Sequence, residues 1–260
     1  WVISLSMSPD ALELWGWRVP FAVGGVVAWV GWSIRRRLPA EVHMPRSASP
    51  VGELLTRYRG PLLRIVLINV GGSVAFYTVF VYALTFIKNI DHFSQAKVFE
   101  INTVSMLVML LALPFSARLA DRVGRMKLLV MGLMMLACAG IPLFYLMHSS
   151  TTSHALMAEV IFAIFISVCF GGLVALNVEL LPPSVRCTGL ALAYNLTLGL
   201  FGGTTPLVAT WLVHYSDNPI APGYWLVAAQ VISLLAIWLG VRSTHLYDDP
   251  EPRAIDPSVP

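Results

Sequence analysis

Apolar runs of about twenty residues recur along this chain at a nearly constant spacing, and they constrain its fold more than any other feature. An α-helix rises about 1.5 Å per residue, so a run of this length spans the roughly 30 Å hydrocarbon core of a bilayer. The runs are apolar at both odd and even positions, unlike the alternating strands of a membrane β-barrel. They cover residues 19–34, 62–87, 98–117, 128–147, 155–178, 190–213 and 224–241.

The composition agrees with a chain that lies mostly in lipid. Hydrophobic residues make up 57% of the 260 residues and charged residues only 12%, whereas soluble domains carry about 25% charge. The first run is the shortest, and it is flanked by Trp15, Trp17, Trp29 and Trp32 in the manner of an interfacial aromatic belt. These features predict an all-α polytopic membrane protein with seven spans.

Basic residues sort to one side of this arrangement. Alternate loops and the C-terminal tail together hold thirteen Lys and Arg residues, and the intervening loops hold two. By the positive-inside rule the first set is cytoplasmic, which also places the C-terminus in the cytoplasm. The formal net charge of +3 is therefore a topology signal, and we expect no nucleic-acid partner.

A charged loop between the third and fourth runs carries the strongest local motif. Gly124 suits a tight turn between two helices, because it lacks a Cβ. Asp121 can accept hydrogen bonds, and Arg122 and Arg125 can pair with carboxylates or lipid phosphates. From these residues alone, a basic cytoplasmic turn without further function explains the loop as well as a specialised role does.

The sequence LADRVGR, from Leu119 to Arg125, resembles the signature loop G-x-L-x-D-R-x-G-R-R/K of the major facilitator superfamily. Ala117 stands where that family usually has Gly, and Met126 where a basic residue is usual. The resemblance implies that the loop helps to close a cytoplasmic gate. The gate residues it implies are Asp121, Arg122, Gly124, Arg125, Glu179 and Arg186.

Other stretches resemble the metabolite:proton symporter family, including its citrate–proton and proline/betaine–proton symporters. They are WGWRVPF (15–21) with RRRLP (35–39), ELLPPSVRCTG (179–189), LAYN (192–195) with FGGTTP (201–206), and APGYW (221–225). The resemblance implies that the seven spans are helices six to twelve of a twelve-helix transporter in a bacterial-type plasma (inner) membrane. The chain opens at Trp1 rather than Met, and we expect a fragment that lacks the N-terminal half.

The expected domains follow from this interpretation. Residues 1–34 are the end of the N-terminal half, 35–61 a cytoplasmic linker rich in Pro, Ser and Arg, 62–241 the C-terminal six-helix bundle, and 242–260 a polar, disordered cytoplasmic tail.

Polar side chains within the spans have two interpretations. Asn69, Tyr77, Tyr194 and Asn195 are candidates for lining a substrate cavity, since the corresponding helices border the cavity in this superfamily. Polar groups avoid lipid, so hydrogen bonding between helices explains them equally well. Glu100 and Glu159 lie a few residues inside the non-cytoplasmic face. Either is a possible proton acceptor if shielded from water, but we expect an interfacial position for both.

The function classes can now be narrowed. The motifs GxSxG, HExxH and GxxxxGK[ST] do not occur, so we expect no enzyme, no ATP-driven transport, no metal and no cofactor. The resemblance implies a secondary active transporter that moves a small metabolite, a citrate-like carboxylate, together with protons by alternating access. The alternatives are an osmoprotectant (proline or betaine) symporter and a non-transporting fragment. The expected partners are the substrate, the proton, the bilayer and the missing N-terminal half.

Overall fold

The computed structural model describes residues 7–37, 49–89, 93–148 and 151–241, and all regular structure in these ranges is helical. The helices are α1 Pro9–Leu14, α2 Val19–Arg35, α3 Pro50–Thr56, α4 Arg59–Tyr77, α5 Ala83–Asn89, α6 Gln95–Val123, α7 Arg125–Met147, α8 Thr152–Glu179, α9 Arg186–Thr197, α10 Thr205–Ser216 and α11 Ala221–Val241. A 3₁₀ turn at Gly16–Arg18 precedes α2. A π-helical segment at Thr78–Tyr82 joins α4 to α5, and a second one at Leu198–Gly202 follows α9 and leads to α10.

Six helical stretches in the described ranges are long and apolar enough to cross a membrane. They match the second to seventh predicted runs, with α4–α5 and α9–α10 each forming one continuous span. The first predicted run forms α2, which has 17 residues and is about 25 Å long, shorter than the hydrocarbon core. The six spans of the C-terminal half are confirmed, and the crossing of the membrane by α2 stays a prediction. The bundle's first span also begins at Arg59, three residues before the predicted boundary.

The predicted linker contains structure of its own. Helix α3 lies within it, and the Leu54 side chain is fully buried against Leu181 and Val185. The end of the linker is therefore part of the bundle's core. Residues 38–48 of the linker and the predicted disordered tail, 242–260, lie outside the described residues.

The spans differ greatly in how deeply they are buried. In the most apolar 18-residue stretch of α4–α5, 78% of the residues are buried, against 17% in that of α6 and 22% in that of α9–α10. The α4–α5 span is thus the central helix of this bundle, with Phe80 and Phe86 in its core. Helix α6, by contrast, exposes a row of large apolar side chains at Leu107, Leu110 and Phe115.

Helices α7 and α8 approach each other closely near the connection between α6 and α7. A Cβ at Gly172 of α8 would overlap the carbonyl oxygen of Arg125 and lie 2.9 Å from the backbone nitrogen of Leu129. Small residues allow this kind of close helix packing in membranes. Gly172 therefore fixes the first turn of α7 against the last third of α8.

Candidate functional site

Helices α6 and α7 are joined by a single residue, Gly124, whose φ of 105° lies in the region that L-residues with a Cβ rarely adopt. This turn holds Asp121 and Arg122 in the last turn of α6 and places Arg125 at the first position of α7. The predicted charged loop is thus almost entirely helical. We call the end of the bundle that carries Gly124 the basic end.

Arg125 bridges three helices at the basic end. Its Nη1 contacts Glu179 Oε1 at the end of α8, and its Nη2 lies 3.6 Å from Asp121 Oδ1 on α6. All three side chains are partly exposed, with 37% for Arg125, 67% for Asp121 and 52% for Glu179. Exposed ion pairs contribute at most about 1 kcal/mol each. The cluster can therefore open and close at low cost.

The other two predicted gate residues are placed differently. Arg186 donates from Nε to the carbonyl of Leu181, 3.0 Å away, and so closes the short connection between α8 and α9. Arg122 is exposed, and it makes no ion pair within the described ranges. The structure thus brings together Asp121, Arg125 and Glu179, and it gives Arg186 a local backbone contact.

Asn69 is buried inside the bundle. Its amide forms a reciprocal pair with Asn177 of α8, with Nδ2-to-Oδ1 distances of 2.9 and 3.0 Å, and it also donates to the Ile65 carbonyl. Asn69 is only 1% exposed. Of its two interpretations, hydrogen bonding between helices describes this geometry, because both amides are committed to each other.

The remaining cavity candidates lie nearer the surface. Tyr194 and Asn195 are exposed on α9, where Asn195 donates to the Ala191 carbonyl 2.7 Å away. Tyr77 is half-buried immediately before the first π segment, and its ring occupies the space beside Gly202 of the second. The structure thus places Asn69 in the interior, Tyr77 at an intermediate depth, and Tyr194 and Asn195 on the surface of the bundle.

A polar contact between α4 and α11 was missed in the sequence. Ser233 accepts a hydrogen bond from the Gly71 amide and donates to the Leu67 carbonyl, each at 2.8 Å. Gln230, one turn earlier, donates to the Gly71 carbonyl at 3.0 Å. Two polar residues three apart in the last apolar run were the available signal.

The two glutamates predicted at the opposite end have different environments. Glu100 is exposed and pairs with Lys97 at 3.0 Å. Glu159 is 0% exposed, so the expectation of an interfacial position is wrong for it. The reason is the orientation of α8, which directs this residue toward α6 rather than outward. Among the described residues, no group of three His, Cys, Asp or Glu side chains could hold a metal ion.

Comparison with known proteins agrees with these features. The family model of the Major Facilitator Superfamily matches residues 11–204 and 101–258. The citrate-proton symporter of Klebsiella pneumoniae is 29% identical over 238 residues, covering 88% of this chain and 53% of that protein. The proline/betaine transporter of Escherichia coli (strain K12) is 27% identical over 238 residues, covering 85% of this chain and 47% of that protein.

The chain spans about half the length of the curated relatives it matches. No solved structure matches it. The family model covers nearly the whole sequence, and the described helices include six apolar spans. The chain therefore belongs to the major facilitator superfamily, a family of membrane transporters rather than enzymes.

Proposed function

We propose that this chain is the C-terminal half of a secondary active transporter that moves a small metabolite together with protons. The observation that carries this proposal is its similarity, over most of its length, to a protein named citrate-proton symporter, of which it spans about half. A complete transporter then needs an N-terminal six-helix half. The weakly buried spans α6 and α9–α10 offer the apolar surfaces that such a half and the lipid would cover.

The basic end is the cytoplasmic end in this proposal, because thirteen basic residues sort to that side. The protein then lies in a bacterial-type inner membrane with its C-terminus in the cytoplasm. The cluster of Asp121, Arg125 and Glu179 acts as part of a cytoplasmic gate. Its exposed ion pairs suit that role, because alternating access requires contacts that break and re-form as two bundles rock against each other.

The substrate we favour is a citrate-like carboxylate. Recognition of several carboxylates calls for Arg or Lys, and none lies at the middle of a described span. The N-terminal half must therefore supply these cations. Tyr77, Tyr194 and Asn195 would contribute neutral donors to the cavity, while Asn69 would hold α4 against α8 beside it.

Proline or betaine is the second candidate substrate. The similarity to a proline/betaine transporter extends over 85% of this chain. The neutral donors on α9 fit a zwitterion as well as a carboxylate, since hydroxyl and amide groups can donate to a carboxylate without carrying charge. The two candidates differ in what the N-terminal half must contain.

Uptake into proteoliposomes tests the proposal. The chain joined to its N-terminal half should accumulate labelled citrate when the outside is acidified, and a protonophore should abolish accumulation. Excess unlabelled proline or betaine should compete weakly. Accumulation that is indifferent to the protonophore would remove the symport claim, and strong competition by betaine would favour the second substrate. Liposomes holding this chain alone are the control, and uptake there would show that the second half is not required.

A further inference from the structure

Glu159 stands out as a buried carboxyl without a partner. It lies seven residues, or about 10 Å, from the first residue of α8. Its side chain is 0% exposed, and neither carboxyl oxygen has a hydrogen-bond partner within the described residues. An ionised carboxylate in such a place is very costly, because no opposite charge within the described residues pairs with it.

Two polar side chains, Asn102 and Ser105, lie three residues apart on one face of α6. Ser105 lies next to the carboxyl, but its hydroxyl hydrogen is donated to the Ile101 carbonyl at 2.9 Å. A serine has one O–H donor and two lone pairs, so Ser105 can accept from a protonated Glu159, and its O–H can also turn from the Ile101 carbonyl toward a carboxylate. Asn102, in the same turn of α6, has a buried Oδ1 without a partner. Full burial and the lack of an ion pair within the described residues suit a protonated carboxyl better than a carboxylate.

The other elements around this part of α8 add no neutralising charge in contact with Glu159. On α7, Phe144 packs on Phe162, one turn from Glu159 along α8. The titratable and charged groups on the packed elements at this end are Tyr82, Lys88, Lys97, Glu100, Tyr145, His148 and His154. Lys97 is paired with Glu100, Lys88 bonds to Gln95, and the His148 ring packs on Phe86.

Glu159 is buried by the described helices of this bundle alone. A carboxyl on the substrate-binding face would be exposed in this structure, as Tyr194 and Asn195 are. Glu159 instead lies between α6 and α8, inside the bundle. A ligand the size of a metabolite cannot reach it there, whereas a proton can.

A cavity of about 200 Å³ lies at the same end, between α5 and α6. It opens beside Lys88 and Gln95, and Val98 forms part of its lining. Residues 98, 102 and 105 are spaced four and three apart, so they share one face of α6. The cavity, Asn102 and Ser105 therefore follow one another along α6 toward Glu159.

We propose that Glu159 is a proton-binding site of this half. A carboxylate oxygen of Glu159 takes up a proton from a hydronium ion in the cavity: an O–H bond of the hydronium breaks as the carboxyl O–H forms, and this O–H donates to Ser105 Oγ. On release the same O–H bond breaks, and the proton returns to water. The inference deepens the proposed function, on which its coupling role rests, by naming the group that carries the proton.

Infrared difference spectroscopy of the reconstituted chain, recorded between acidic and alkaline pH, tests the site directly. We expect a protonated-carboxyl C=O band that appears as the pH falls, that is absent in E159Q and that persists in E100Q, the matched control at the same end. E159D should shift the band, which assigns it even if E159Q fails to insert. Ser105→Ala should change its frequency by removing an acceptor. Identical spectra for the unmodified chain and E159Q, or a Glu159 band that never titrates, would overturn the proposal.

Transport then tests coupling. With the N-terminal half present, E159Q should lose uptake driven by a pH gradient by at least about tenfold and keep substrate exchange at equilibrium. E100Q should retain both activities. Unchanged gradient-driven uptake by E159Q would overturn the coupling role. A titrating Glu159 band in a protein that transports no tested metabolite would instead count against the proposed function and leave the proton site standing.

Discussion

Helix α8 carries two glutamates, Glu159 and Glu179, in opposite environments. They are twenty residues apart, or about 30 Å, which is close to the thickness of the hydrocarbon core. Glu179 is half exposed at the basic end and pairs with Arg125, whereas Glu159 is fully buried and unpaired. Near water a carboxylate is stabilised by hydration, so an ion pair adds little to its stability. Within the bundle it must be neutral or be neutralised, so the same side chain can act as a gate contact at one end and as a proton carrier at the other.

The largest effect we expect concerns the close packing of α7 against α8 near Glu179. Gly172→Ala places a methyl group against the backbone of Arg125 and Leu129, so α7 and α8 must separate. We expect a loss of about 2–3 kcal/mol in the free energy of unfolding, measured by denaturant titration in detergent micelles. Gly199→Ala is the control, because nothing lies within 4 Å of its new Cβ. Equal losses for both variants would show that the close approach at Gly172 is unimportant.

The amide pair of Asn69 and Asn177 joins α4 to the last turn of α8, two residues before Glu179, and its removal should have the next largest effect. Asn69→Leu or Asn177→Leu alone leaves a buried amide without its partner, which costs about 1–3 kcal/mol. The double variant should be less destabilised than the sum of the single variants, because it leaves neither amide unpaired. Strict additivity in the same titration would mean that the two side chains act independently.

Asp121→Asn addresses the exposed end. It removes one charge facing Arg125, and an exposed pair contributes at most about 1 kcal/mol. Because 1 kcal/mol corresponds to about a fivefold change in an equilibrium, we expect the transport rate to fall about fivefold and membrane insertion to be unchanged. Initial uptake rates in proteoliposomes and the amount of protein in the membrane fraction measure the two quantities. Arg122→Gln, at an exposed residue outside the cluster, is the control. Normal uptake by Asp121→Asn would remove this residue from the gate.

The smallest effect should come from Lys97→Ala. It removes the exposed partner of Glu100, and such pairs contribute about 0–1 kcal/mol. We expect a change below about 0.5 kcal/mol in unfolding and no change in gradient-driven uptake. A large loss of uptake would show that the Lys97 charge contributes to proton uptake. Glu100 could then not be treated as a residue without a role in transport, unlike Glu159.

The sequence predicted the spans better than the contacts between them. Six runs could be found because about twenty apolar residues are needed to cross a bilayer, whatever they pack against. The turn at Gly124 could be found because only glycine readily adopts its backbone conformation. The short run before Arg35 forms a helix of 17 residues, and length alone does not decide whether so short a helix crosses the bilayer.

The environments of the polar residues could not be predicted in the same way. Asn69 and Asn195 look alike in the sequence, since each is an amide within an apolar run. One is paired across two helices and the other is exposed, and that difference depends on which face of each helix meets a neighbour. Gln230 and Ser233 were overlooked for the same reason, because their partners are backbone groups of a span more than 150 residues away in the chain.

The sequence by itself determined that this is a helical membrane protein, where its spans lie, and which family it resembles, since these follow from local composition and from motifs read along the chain. The tertiary structure decided what each glutamate can do. Glu100, Glu159 and Glu179 each sit near the end of an apolar run, but the packing of α8 against α6 and α7 leaves one exposed, one buried without a partner and one paired with Arg125. The cost of burying a charge depends on everything around it, and those neighbours come together only in the folded bundle.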